Sequence, residues 1–256
     1  MGKIIAVANQ KGGVGKTTTC INVVCALHNL GKRVLLCDTD PQGNSTSGMG
    51  LDKSSVSPGT YDVLIGNTRP ENAIVKTAYG DVLPSNKVLS GAGIELVTVA
   101  DREFVLKRAL ETVRNSYDYI LIDCPPSLEM LTLNALCAAE GIIVPIQCEY
   151  FALEGLSDLV SSLRMIKRRL NPQLEIDGVL LTMYDGRTNL SMQVAAEVKK
   201  FFKRKVYQVV IPRNVRLSEA PSHGMPVISY DPGSRGARAY MELAAEIDCR
   251  ASGKEG

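Results

Sequence analysis

The chain has 256 residues, 45% of them hydrophobic and 22% charged, which excludes a disordered or low-complexity protein and leaves one α/β domain over residues 1–256 as the expectation. The formal net charge is only +2, from 29 basic and 27 acidic residues, so bulk charge says nothing about nucleic acid. Seven scattered cysteines with no C-x-x-C pair point to a reduced, cytoplasmic chain rather than a disulfide frame or a zinc site, and no apolar run approaches the roughly 18 residues of a membrane span.

The first apolar run, Ile4-Ile5-Ala6-Val7-Ala8, reads as a buried strand. Gln10-Lys11-Gly12-Gly13-Val14-Gly15-Lys16-Thr17-Thr18 follows it, and residues 18–30 then read as a helix that Gly31 can end. Strand, glycine turn and helix start are the context a phosphate-binding loop needs. Gly12, Gly13 and Gly15 let backbone N–H groups turn inward around phosphate oxygens, and the helix N-terminus aims at the anion. Lys16 supplies an ammonium for the β- and γ-phosphates, and Thr17 supplies a hydroxyl for Mg²⁺. The usual G-x-x-x-x-G-K-[ST] spacing would place a glycine at position 10, where this chain has Gln10, and Lys11 adds a second cation inside the loop.

Arg33-Val34-Leu35-Leu36-Cys37-Asp38 reads as a second strand ending in acid, and Asp38-Thr39-Asp40-Pro41-Gln42-Gly43-Asn44 as a loop. Asp38 and Asp40 would point to opposite sides of an extended segment, one toward a metal; a polar turn with an Asx cap fits the same residues. Residues 45–100 read as variable connections with short helices. Leu106, Ala109, Leu110 and Val113 mark a helix. Tyr119-Ile120-Leu121-Ile122-Asp123 is a strand whose terminal carboxylate can hold Mg²⁺ through water or cap the next helix.

Ile142-Ile143-Val144-Pro145-Ile146 is the next strand, with Pro145 expected near its end or edge. Leu156, Leu159, Val160, Leu163, Ile166 and Leu170 mark a long amphipathic helix, and Val179-Leu180-Leu181-Thr182-Met183 a strand. Leu190, Val194, Val198 and Phe201 are expected to face inward on another helix. Residues 206–211 read as a strand and residues 237–247 as a closing helix. This alternation predicts a doubly wound, mostly parallel sheet with helices on both faces, and a ligand at the carboxyl ends of the strands. In Ile211-Pro212-Arg213-Asn214, Pro212 offers a flat apolar face, and Asn214 offers a donor and an acceptor for an adenine edge. A plain loop with a helix cap would need the same residues.

The loop Lys11-Gly12-Gly13-Val14-Gly15-Lys16-Thr17-Thr18 resembles the deviant phosphate loop of the ParA/MinD family of P-loop nucleotide switches. Asp123-Cys124-Pro125-Pro126-Ser127 and residues 211–221 extend the resemblance over essentially the whole chain, toward Soj-type partitioning ATPases. The resemblance implies ATP and Mg²⁺ as cofactors and slow hydrolysis. It implies a homodimer that sandwiches two ATP molecules, with Lys11 reaching the partner's nucleotide. It makes Asp40 the residue that positions water, puts Asp38 near the metal, and has Pro212 and Asn214 contact the base. Arg187 and Arg216 would bind duplex DNA without sequence preference, and a ParB/Spo0J-type protein would be the regulatory partner. Nucleoid association follows.

Charge distribution supports a nucleic-acid surface. Residues 151–220 hold 12 basic and 7 acidic side chains, with Arg164, Lys167, Arg168 and Arg169 on one helix and Lys199, Lys200, Lys203, Arg204 and Lys205 on another. A solvated helix face explains such runs equally well, and with no aromatic interleaved in the arginine loops the contact mode would be phosphate. A MinD-like membrane switch would need a basic amphipathic tail, but residues 249–256 are too polar. A metabolic ligase or an iron–sulfur reductase on the same fold would need a substrate domain or paired ligand cysteines, and the sequence displays neither. A nucleotide-binding module without turnover would use the same phosphate loop.

Overall fold

Uninterrupted apolar runs become interior strands because both of their faces are covered. The computed structural model describes residues 1–149 and 154–253; the side chains of residues 154–157 lie outside that description, as do Leu156's packing and the last three residues of the polar tail. In chain order the main elements are β1 (Lys3–Val7), α1 (Lys16–Asn29), β2 (Val34–Asp38), β3 (Val75–Thr77), β4 (Gly80–Leu83), α2 (Val105–Val113) and β5 (Tyr119–Asp123). They continue with α3 (Met130–Ala138), β6 (Gly141–Gln147), α4 (Glu154–Arg169), β7 (Glu175–Thr182), α5 (Asn189–Phe202) and α6 (Arg235–Ala251).

The strands form one sheet in the order β3-β4-β2-β5-β1-β6-β7, parallel except for β3. The expected doubly wound sheet is therefore present. Strand periodicity divides the core in two. Ile4, Ala6, Ile120 and Ile122 pack on one face with residues of α2, α3, α4 and α5; Ile5, Val7, Leu36 and Leu121 pack on the other with α1 and α6. Helix α1 is buried on two sides, against the sheet and beneath α6, where the Thr19 and Tyr240 hydroxyls meet at 3.2 Å.

From β1 the chain winds to β2 on one side; from β5 it crosses to β6 on the other. The loops that leave the carboxyl ends of β1 and β5 thus part in opposite directions and open a crevice between them.

Three sequence expectations change. Residues 206–211 do not form a strand: isolated bridges at Val179–Val206 and Tyr184–Pro212, and a bond from Ile211 N to Leu181 O at 2.9 Å, join this stretch to the sheet edge. The Glu246 carboxylate accepts from the Gln208 and Val209 amides, so those donors leave the ladder. Residues 45–100 hold the antiparallel pair β3–β4, with β4 parallel to β2. At three and four residues each, these strands are too short for periodicity to reveal. On α5, Val194 and Val198 are buried, but Leu190 and Phe201 are exposed. Pro145 is where it was expected, third from the end of β6 and beyond Ile143, the last residue paired with β1, so its missing N–H faces no ladder.

Asn171 is a buried tie that periodicity could not show. Its Nδ2 donates to Leu136 O at 2.8 Å and Ala139 O at 2.7 Å, closing the carboxyl end of α3. Asn171→Ala is expected to cost about 1–3 kcal/mol, because buried carbonyls lose their donor. Urea unfolding should show a lower midpoint with an unchanged slope.

Candidate functional site

The glycine turn is built on β1 and braced from β6. Asn9 Nδ2 donates to Pro145 O at 2.8 Å, and Asn9 Oδ1 accepts from Lys11 N at 3.0 Å. Gly13 and Gly15 have φ of +73° and +91°, the left-handed region where a side chain is strained, and around Gly13 there is open space. Helix α1 begins at Lys16, with its first amides facing the loop. Lys16 is 7% exposed, and its Nζ donates across the loop to Lys11 O at 3.1 Å. Burial lowers its pKa, and Asp123 is the first of the carboxylates and thiols that oppose this. Lys11 itself is exposed, and its ammonium has no partner among the described residues.

Strands β2 and β5 end together. Asp38 and Asp123 are register partners, and Asp123 is also the partner of Val7 on β1. Both carboxylates are fully buried. Asp38 Oδ1 accepts from Asp40 N at 3.1 Å; its Oδ2 accepts from Thr46 N at 2.9 Å and Thr46 Oγ1 at 2.6 Å. Asp123 has no hydrogen-bond partner at either oxygen among the described residues. Desolvation, then the neighbouring Asp38, push its pKa up to about 8; the Thr17 hydroxyl is near enough to offset part of this without reaching hydrogen-bond geometry.

A buried carboxylate without partners is costly unless a cation reaches it. Asp123, Thr17 at the start of α1, and Asp38 beside them fit Mg²⁺. No group of three or more His, Cys, Asp or Glu among the described residues is arranged as a metal cage. A cation shared with phosphate suits that ligand set, because Mg²⁺ commonly takes one or two carboxylates plus phosphates.

Asp40 is partly exposed on the loop after β2, and its Oδ1 accepts from Gln42 N at 2.9 Å. The Asx turn is thus present, and it leaves Asp40 Oδ2 without a partner among the described residues.

A cavity of about 550 Å³ runs from Gly15 and Thr18 to Pro212, Arg213, Asn214 and Val215, with Thr182, Met183 and Tyr240 in its walls. That volume is ordinary for a small-ligand site. Asn214 also caps the short helix Val215–Glu219: its Oδ1 accepts from Arg216 N at 2.9 Å. The cap uses the acceptor and leaves the Nδ2 donor for the cavity, so the two readings of this loop are compatible.

The basic residues divide into two groups. Arg187 is exposed and paired with Asp185 at 2.7 Å; Arg216 pairs with Glu219 at 2.7 Å and Asp231 at 3.2 Å. Arg213 and Arg235 join Arg187 around a second cavity of about 390 Å³, which shares Pro212 and Arg213 with the first. Neither stood out in sequence: Arg213 is one charge in a loop, and Arg235 lies 48 positions from Arg187. Residues 199–205 lie at the opposite end of α5 from Arg187, about 20 Å along the helix axis. There Lys205 shares a groove with Arg164 and Lys167 of α4.

The raised pKa of Asp123 makes the nucleotide-free fold pH-dependent. In the unfolded chain this carboxyl ionises near pH 4, but in the fold it stays neutral up to about 8. Folding therefore takes up a proton between those values, and stability falls as pH rises through that window. Asp123→Asn should raise Tm by about 5–10 °C at pH 8.5 and change it little at pH 5. Thermal scans of the nucleotide-free protein at the two pH values measure the difference.

Comparison with known proteins adds an independent line. A family profile described as an AAA domain matches residues 2–176. The sporulation initiation inhibitor protein Soj of Bacillus subtilis is 58% identical over 249 residues, 96% of this chain and 98% of its own. The chromosome partitioning protein ParA of Caulobacter vibrioides is 52% identical over 97% of this chain and 94% of its own. Among solved structures, a cobyrinic acid a,c-diamide synthase from Mycobacterium smegmatis with bound ADP and magnesium is 40% identical, with a TM-score of 0.87 over 99% of this chain and 97% of its own. The septum site-determining protein MinD of Pyrococcus horikoshii, complexed with Mg-ADP, is 29% identical with a TM-score of 0.83, over 100% of this chain and 99% of its own.

Proposed function

This chain belongs to the Soj/ParA family of chromosome-partitioning ATPases, and we propose that it is an ATP-driven dimeric switch that binds duplex DNA in its ATP state. The observation that carries the reading is Asp123, a fully buried carboxylate with no hydrogen-bond partner among the described residues, one strand from a glycine loop that ends in a buried lysine. Amide synthesis, as named for the M. smegmatis protein, is the weaker reading. That protein is 40% identical, whereas relatives named Soj or ParA reach 58% and 52% over similar shares of the chain.

In this reading the backbone of residues 12–18 binds the phosphates of ATP, with Lys16 against the β- and γ-phosphates. Pro212 and Asn214 hold the adenine in the larger cavity. Thr17 and Asp123 would hold Mg²⁺, with Asp38 behind them; when bound, it supplies positive charge where phosphate charge develops. Asp40 Oδ2 accepts a hydrogen bond from the attacking water and orients it toward the γ-phosphate. Lys11 reaches the nucleotide of a second copy, which makes the paired state depend on ATP.

DNA affinity follows from pairing. In one copy Arg187 and Arg216 are already tied to Asp185, Glu219 and Asp231, so each phosphate contact must displace an acid. A dimer doubles the set of Arg187, Arg213, Arg216 and Arg235, and phosphate binding rises steeply with the number of charges engaged. A ParB/Spo0J-type partner would set the turnover, and the ATP state would sit on the nucleoid in the cytoplasm.

Lys16→Ala is expected to abolish binding of a fluorescent ATP analogue. Asp40→Ala should bind ATP, stop hydrolysing it and accumulate as a dimer on gel filtration, whereas Lys11→Ala should remain a monomer with ATP. Wild-type hydrolysis by Asp40→Ala would remove the water-positioning role.

DNA binding to random duplexes should require ATP and fall by about 0.9 log units per log unit of salt for each phosphate contacted. Arg187→Ala and Arg216→Ala should weaken it equally across sequences and spare ATP hydrolysis in the absence of DNA. Equal binding with ATP, ADP and no nucleotide would sink the switch; full retention by the double mutant would move the surface to residues 199–205.

A further inference from the structure

The loop that carries Asp40 is fixed at its backbone by groups far away in sequence. Asp40 N donates to Asp38 Oδ1 at 3.1 Å. Asp40 O accepts from Ser85 Oγ at 2.8 Å and from Gly43 N at 2.9 Å. Both backbone groups of Asp40 are therefore held, while its Oδ2 has no partner among the described residues.

Ser85 is 2% exposed, and it follows β4, the strand paired with β2. Its own amide donates to Thr46 Oγ1 at 2.9 Å, and the same hydroxyl donates to Asp38 Oδ2 at 2.6 Å. The result is a closed circuit: Asp38 to Asp40, Asp40 to Ser85, Ser85 to Thr46, and Thr46 back to Asp38. Thr46 is fully buried. The two bonds at Thr46 Oγ1 are buried and the two at Asp40 partly so, in surroundings where misplaced polar groups are costly. Gly43 completes the fit, since a Cβ there would come within 2.6 Å of Ser85 O.

From this geometry we propose that Ser85 and Thr46 are positioning residues for ATP hydrolysis, clamping the Asp40 backbone so that its free carboxylate oxygen meets the attacking water. The inference rests on the water-orienting role of Asp40 proposed above. Neither hydroxyl is assigned a contact with nucleotide or water. They act through the loop, by bonds to the backbone that carries a partly exposed acid. Misplacement by about 1 Å costs on the order of 100-fold in rate, so loosening one of the two bonds at Asp40 O should be visible in kcat.

The experiment compares Ser85→Ala, Ser85→Thr, Thr46→Val, Thr46→Ser and Asp40→Ala in the full chain with ATP and Mg²⁺. Single-turnover hydrolysis, ATP affinity and Tm are measured for each. Ser85→Ala and Thr46→Val should lose about 10- to 100-fold in hydrolysis rate. Their ATP affinity should stay within about twofold of the parent, a split that a merely structural role would not produce. Thr46→Ser keeps the hydroxyl and should restore most of the rate, as should Ser85→Thr if the extra methyl is accommodated. Wild-type rates in both Ser85→Ala and Thr46→Val, with Asp40→Ala inactive, overturn the clamp and leave the function standing. Parallel losses of rate, affinity and Tm also overturn it, by making the two residues structural only. An active Asp40→Ala overturns the underlying role of Asp40 instead.

Discussion

Two carboxylates lie side by side in the interior, at the ends of neighbouring strands, and they cannot both be charged there without help. Asp38 and Asp123 are register partners on β2 and β5. Desolvation raises both pKa values, and each carboxylate is dealt with differently. Asp38 is satisfied by the chain itself, through Thr46 and the Asp40 amide. Asp123 is not satisfied, and Lys16 is the nearby cation with which it interacts. Much of the site follows from that inequality. The satisfied acid shapes the loop; the unsatisfied one is left with capacity for a cation that arrives with phosphate.

The sequence displayed the parts of this arrangement that are local. A strand buried on both faces must be an apolar run, so β1, β2 and β5 could be placed nearly to the residue, and their terminal acids with them. The loop at residues 10–18 was legible because glycine, lysine and threonine have few reasons to follow one another at a strand end except to hold an anion. What could not be read is what depends on partners distant in the chain. Ser85 looked like one more polar residue in a connecting segment, and only β4's pairing with β2 brings it to Asp40. Residues 206–211 look like a strand in composition, but Glu246, more than 30 residues later, takes the amides a ladder would need. Phe201 satisfied the helical period of α5 yet is 60% exposed, and it is the next residue, Phe202, that packs against the core.

The basic residues show a related limit. Their count in residues 151–220 was correct, but a helix separates them in space. Arg187, just before α5, and Arg213 border the smaller cavity beside the one at the glycine loop, whereas residues 199–205 lie at the far end of that helix. Charge density along a sequence does not say which cations share a surface; the direction of the helix between them does.

The 211–216 loop joins the cavity at the glycine loop to a surface arginine. Asn214 lines that cavity, and its carbonyl oxygen caps the helix whose first turn contains Arg216. An N-cap contributes about 1 kcal/mol to a helix, a large share of the stability of one only five residues long. Any contact that fixes the Asn214 side chain from the cavity side therefore also fixes the start of that helix, and with it the direction of Arg216. The coupling needs no domain motion. A contact that held the nitrogen of this one side-chain amide, while its oxygen holds the helix, would be enough to couple the cavity to the orientation of a surface cation.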